Sequence, residues 1–155
     1  MSETINSLHT AYSGESQAHT KYRYFAKIAR EEGFEDIAKH FEHTADQELL
    51  HSWGHLELII GKPDTRKCLE LAIEGETYEF TEMYPQFKEV AEFEGDLAAA
   101  NEATTQIAES KEHAEQFKAM LKKAEKRFAA LVKVEQRHAE AYQNKLDELN
   151  QVEAR

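Results

Sequence analysis

Apolar residues recur along this chain at alternating intervals of three and four, which is the spacing of one face of an α-helix. The first stripe runs Leu8, Ala11, Glu15, Ala18, Tyr22, Phe25 and Ala29, and predicts a helix that ends at Gly33 in "REEGFED". The second runs Phe34, Ile37, Phe41, Thr44, Glu48, His51, His55 and Leu58, and predicts a helix to about Ile60. "GKPDT" then breaks the chain, with Pro63 closing one helix and Asp64 or Thr65 capping the next. The third stripe carries Leu69, Ala72, Glu76, Glu79 and Met83, and Pro85 predicts a kink before "EFEGD". After Gly95 there are sixty residues with neither Gly nor Pro. That is too long for one helix in a domain of this size, so a turn is expected within them, lengthening the connection between third and fourth helices.

A weak internal repeat accompanies the stripes. "SGESQAHTKYRYFAKIAREEGFED" and "EGETYEFTEMYPQFKEVAEFEGDL" share an opening Gly-Glu, central aromatics and a closing acidic-Gly pair, as a duplicated helical hairpin would. Hairpins over 1–60 and 66–150, joined by a connector at 61–65, therefore make up one all-α domain spanning 1–155. Composition agrees: two prolines and six glycines in 155 residues leave long tracts of good helix formers.

Charge and cysteine content narrow the chemistry. A net charge of −11 argues against nucleic acid or an anionic membrane surface as partner, but leaves cations open. No apolar run approaches the roughly 18 residues of a membrane span, and "MSETINSLHT" lacks the features of a signal peptide, so a cytoplasmic location is expected. Cys68 is the single cysteine, which excludes an intrachain disulfide and a Cys-x-x-Cys metal site within these residues.

The stripes share one anomaly, a carboxylate where an apolar residue belongs. Glu15 sits on the first, Glu48 with His51 on the second, and Glu76 with Glu79 on the third. In the last segment Phe128, Leu131, Glu135, His138, Tyr142 and Leu149 fall on one face, so "VEQRHAEAY" repeats the Glu-x-x-His spacing of "ADQELLH". One such pair alone is more simply a surface i,i+3 pair or polar drift at a stripe edge. Burying an unpaired carboxylate costs several kcal/mol, and five would exceed the roughly 5–15 kcal/mol stability of a domain. Two divalent cations would neutralise Glu15, Glu48, Glu76 and Glu135, with two imidazoles completing the shells. One Glu from each of two helices, plus Glu-x-x-His from each of the other two, is the ligand pattern of di-iron carboxylate bundles. Buried Glu and His satisfying one another is the competing structural explanation.

The chain resembles the rubrerythrin branch of the ferritin-like superfamily. The resemblance rests on "GESQA" at 14–18, "ADQELLH" at 45–51, "EGETYEFTEMYP" at 74–85 and "KVEQRHAEAY" at 133–142. It implies a four-helix bundle in which Glu48 and Glu135 bridge two iron ions, Glu15 is terminal on one, and Glu76 with His138 completes the other. Glu79 and His51 would exchange on the first iron as its oxidation state changes, and Tyr22 and Tyr84 would support the ligand carboxylates from behind. Manganese or zinc would also suit such donors. Glu109 and His113 in "AESKEHAEQF" form a rival pair for the fourth helix. With Phe117 as stripe centre, at about 100° per residue, Glu109 lies some 80° off, whereas Glu135 lies about 20° from the stripe through Phe128.

The activity implied is a peroxidase reducing hydrogen peroxide to water in oxidative-stress defence, with electrons from an external rubredoxin-like protein or flavoprotein. A ferroxidase handling iron, and a non-catalytic metal-binding helical module, are the alternatives. Two features depart from the family: nothing resembling a rubredoxin domain follows in the sequence, and Gly95 to Glu135 is longer than Gly33 to Glu48. The connector also bears on assembly. In a ferritin-like bundle the second and third helices run parallel, so the chain would have to return about 18 plus about 16 Å to bring Glu76 level with Glu48. The five steps from Ile60 to Thr65 reach about 17 Å. A homodimer in which two chains exchange helical hairpins is therefore expected.

Overall fold

The structure, a computed structural model, describes residues 2–153 and the side chains of 2–150. Met1, Ala154 and Arg155, counted in the expected domain, lie outside the described residues. The described chain is all-α, in the order α1 (Glu3–Glu31), α2 (Glu35–Ile60), α3 (Thr65–Tyr78), a π turn (Glu79–Met83), α4 (Tyr84–Glu94) and α5 (Leu97–Glu153). It divides into two compact units, Met1–Pro63 and Asp64–Arg155.

The first unit is the hairpin of α1 and α2. Gly33, at a φ of 87°, supplies the left-handed step that turns the chain between them. The seam is built from small side chains: Ala26 and Ala29 of α1 meet Ala38 of α2, and Ala45 and Ser52 continue the α2 side at intervals of seven. Small residues at the contact let two helices approach closely. The large apolar residues Phe34, Ile37 and Leu58 of the predicted stripe consequently flank the seam and stay exposed. Tyr22, Phe25 and Phe41 stack beside it with ring centroids 5.6–6.3 Å apart. Polar ties cross the hairpin: His19 Nδ1 lies 2.8 Å from the Ala45 carbonyl, Arg23 pairs with Asp46, and Arg30 bonds Glu35 at 3.1 Å and Glu42 at 3.0 Å.

The second unit pairs the rod of α3, π turn and α4 with α5. Asp64 caps α3 by accepting the Lys67 N–H at 2.8 Å. Just before Pro85 the helix widens for one turn. The Tyr84 N–H donates to the Glu79 carbonyl five residues back, a spacing that accommodates the proline's missing N–H and ring. Gly95, at a φ of 77°, ends α4.

The turn expected after Gly95 is not there: α5 runs unbroken for 57 residues. Good helix formers fill it, with side-chain pairs such as Gln116–Glu112 at 2.9 Å and Gln143–Asp147 at 2.8 Å supporting successive turns. Ala100, Ala103, Ser110 and Ala114 are its buried residues, and Arg66 near the start of α3 pairs with Glu125.

Candidate metal centre

Each unit carries its own cluster of carboxylate and imidazole. In the first, Glu15 comes from α1, and Glu48 and His51 from successive turns of α2, so the i,i+3 spacing aims the last two at one point. Candidate ligand atoms of the three lie within 4.8 Å of one another. His51 Nδ1 is 3.0 Å from Glu48 Oε2 and 4.0 Å from Glu15 Oε1. The two carboxylates compete for a proton. The hydrogen bond to Glu48, then burial and the Glu48 charge, push Glu15 above its ordinary range, while bonds to Glu15 and His51 hold Glu48 below. His55, one turn past His51, adds a positive field on Glu15 when protonated.

The second cluster joins the rod to α5. Glu76 ends its approach with His113 Nδ1 at 3.4 Å from Oε2, outside hydrogen-bond geometry. That oxygen is buried with no hydrogen-bond partner. Glu79, the first residue of the π turn, accepts a 2.9 Å hydrogen bond from the Ser110 hydroxyl, itself only 3% exposed. Burial and the charges of Glu79, Glu102, Glu76 and Glu109 push the Tyr84 phenol up, so it remains a protonated donor beside these carboxylates.

The residues fit divalent cations. A buried carboxylate oxygen without a hydrogen-bond partner is costly until something donates to it or a cation binds it, and the adjacent carboxylates of Glu15 and Glu48 raise the same demand. Oxygen and imidazole donors suit iron and equally manganese or zinc.

The structure does not bring Glu135 and His138 to this cluster. They lie 3.9 Å apart on α5, 76% and 58% exposed at the side chain. Glu135 is 22 residues beyond His113 on one straight helix, about 33 Å along its axis at 1.5 Å per residue. The seam of α5 runs through Ala103, Ser110 and Ala114; at about 100° per residue His113 lies about 60° from Ser110, on the flank of the seam, and Glu109 about 100° from it. Tyr84 stands in the field of Glu76, Glu79, Glu102 and Glu109, and Tyr22 in the aromatic cluster of the first unit. Cys68 is exposed on α3.

Sequence reasoning missed Ser110. It precedes His113 by three residues, as Glu48 precedes His51, so the second hairpin carries a hydroxyl where the repeat calls for a carboxylate. Counting fifteen residues from each hairpin glycine, Gly33 to Glu48 and Gly95 to Ser110, was the available signal.

The rubrerythrin family model matches residues 6–121. A rubrerythrin of Porphyromonas gingivalis is 36% identical over 135 residues, covering 77% of this chain and 66% of that protein. Nigerythrin of Nitratidesulfovibrio vulgaris is 38% identical over 129 residues, covering 74% and 63%. The chain thus spans about two thirds of the length of these relatives. A solved nigerythrin in its fully reduced, all-ferrous state matches at 33% identity with a TM-score of 0.41, over 81% of this chain and 69% of that one. No helix among the described residues is long and apolar enough to cross a membrane. With the family model spanning both units, this all-α chain belongs to the rubrerythrin family.

Proposed function

We propose that the protein is a di-iron peroxidase that reduces hydrogen peroxide to water with electrons from a separate donor protein. The observation that carries the reading is the doubled arrangement of donors: Glu15, Glu48 and His51 gathered within 4.8 Å on one unit, and Glu76 with a buried, unpartnered oxygen beside His113 on the other. Glu15, Glu48, His51, Glu76, Glu79 and His113 are the proposed ligands, with Glu109 at the rim. Two ferrous ions, when bound, supply the two electrons that cleavage of an O–O bond requires.

The chain's own residues serve that chemistry in distinct ways. Glu15 is held above and Glu48 below the ordinary carboxylate range by the contact between them, so the two adjacent carboxylates differ in proton affinity beside the proposed iron. Glu79 starts the π turn, a helical irregularity often found at functional positions, and Ser110 fixes one of its oxygens while the other stays available. Tyr84, kept protonated, is a hydrogen-bond donor next to Glu76 and Glu79. The 155 residues contain one cysteine, so an iron held by four thiolates is not among them.

Each unit supplies half of such a centre. The four residues of the connector, 61–64, favour completion of each centre by the hairpins of two chains, a homodimer with exchanged halves. The test of function is a single turnover. Iron-loaded, anaerobically reduced protein is mixed with one equivalent of peroxide or of oxygen, and the ferric absorbance is followed. Rapid oxidation by peroxide and slow oxidation by oxygen supports the peroxidase. Equal or faster reaction with oxygen points to the ferroxidase, and no reaction with either leaves a metal-binding module.

A further inference from the structure

The family match ends at residue 121, yet α5 continues to Glu153. Within its unit α5 is flanked by α3 only as far as the Arg66–Glu125 pair, because α3 begins at Thr65. Beyond that pair residues 126–153 overhang by about 42 Å at 1.5 Å per residue. The overhang is not a uniformly polar arm. Phe128, Leu131, Val132, Tyr142, Leu146 and Leu149 are between 43% and 75% exposed.

Their spacing is that of a coiled coil. Phe128, Glu135, Tyr142 and Leu149 recur every seven residues, Leu131, His138 and Lys145 form the companion position three further on, and Val132 and Leu146 flank the seam. The polar members of this seam choose the partner. A parallel second copy would set Glu135 against Glu135 and Lys145 against Lys145, like charges facing across an apolar seam. An antiparallel copy centred on residue 140 sets Glu135 against Lys145, His138 against Tyr142 and Leu131 against Leu149. Glu135 then meets the opposite charge of Lys145, and Leu131 meets Leu149.

Charge along the overhang points the same way. Residues 126–139 carry Lys126, Arg127, Lys133 and Arg137 against Glu135, four basic to one acidic. Residues 140–153 carry Glu140, Asp147, Glu148 and Glu153 against Lys145, four acidic to one basic. The basic half of one copy then lies on the acidic half of another. We infer that the α5 overhang is a self-association helix that pairs antiparallel with the same segment of a second copy. Glu135 and His138, the Glu-x-x-His pair outside the metal cluster, become the polar layers that set its direction and register. The inference does not depend on the metal chemistry proposed above.

Cysteine cross-linking in the full chain, with Cys68 replaced by Ser, tests it. Leu131→Cys/Leu149→Cys should form a covalent dimer under mild oxidation, because the two positions face each other. Leu131→Cys alone should not, since the two copies of residue 131 are 18 residues apart along the pair, about 27 Å, far beyond the roughly 4.4–6.8 Å Cα separation of a disulfide. Absence of the double-variant cross-link, or efficient cross-linking by Leu131→Cys alone, overturns the antiparallel pairing. A charge swap serves if the cysteines loosen the helix, and it then decides. Glu135→Lys should weaken association at least tenfold in sedimentation equilibrium, and Glu135→Lys/Lys145→Glu should restore it. No loss in the first or no recovery in the second also overturns the inference.

Discussion

Ser110→Ala removes one hydroxyl and little else. Ser110 is 3% exposed, so water does not replace the 2.9 Å hydrogen bond it donates to Glu79. A hydrogen bond to an ionised carboxylate contributes about 1.5–3 kcal/mol, and at about 1.4 kcal/mol per decade its loss corresponds to roughly tenfold to hundredfold in affinity if Glu79 binds metal only in the orientation Ser110 imposes. Groups that orient metal ligands cost a similar factor when removed. The assay is anaerobic titration with Fe(II) or Co(II) against a chromophoric chelator, with helicity followed by circular dichroism. One binding step should weaken by that factor while helicity is unchanged, because alanine suits this buried seam. Unaltered affinity in both steps would refute the orienting role of Ser110. Ser110→Glu is the converse, tightening metal binding while destabilising the metal-free protein by placing a second carboxylate beside Glu79.

Three further outcomes follow from the packing and the charges. Glu76→Gln removes the charge from a side chain whose buried oxygen lacks a hydrogen bond, so metal-free protein should melt higher while the rise on adding metal shrinks, both read by calorimetry. Ala38→Leu forces a larger side chain into a fully buried position of the α1–α2 seam, costing about 1–3 kcal/mol in denaturant unfolding. Arg30 holds the Glu42 carboxyl below its ordinary range, so the pair stabilises the hairpin above that range and the stabilisation is lost as pH falls through the lowered folded-state value. In Arg30→Gln, stability should therefore fall less steeply on acidification, and an unchanged acid limb would remove Arg30 as its cause.

What the sequence made legible followed from backbone chemistry. Gly33, Asp64 and Gly95 mark the ends of elements because a left-handed step or a side-chain cap is needed there, and each occurs where the glycine or aspartate predicts it. Glu15, Glu48 and His51 could be grouped because they lie within two long regular helices joined by a short turn, where counting residues is counting distance. The fourth helix resisted the same treatment. One face of it carries two stretches, an inner one through Ala103, Ser110 and Ala114 that packs on the rod, and an outer one at Phe128, Leu131 and Leu149 that lies open. The outer stretch, with its larger side chains, points to Glu135 and His138, because alanine and serine carry little hydrophobic signal even when they form the closer contact. Likewise the π turn was invisible to a fixed period of 3.6 residues, which reads Pro85 as a break.

The manner in which half-sites meet can be settled by complementation. Glu48→Ala damages only the first unit's cluster and Glu76→Ala only the second's, so neither homodimer should bind its full metal. If hairpins are exchanged, a heterodimer made by unfolding and refolding the two variants together carries one centre with both defects and one with none. Random pairing makes half of the dimers mixed, and one of the two centres in each is intact, so about a quarter of all centres should regain wild-type affinity and peroxide reactivity. If each chain completes its own centre, every centre in the mixture keeps one defect whatever the pairing. Recovery near a quarter, with mixed dimers verified by mass spectrometry, would support exchange. No recovery with the same proportion of mixed dimers would reject it, and would require α2 and α3 to run antiparallel within one chain, the arrangement a connector of four residues can span without a return.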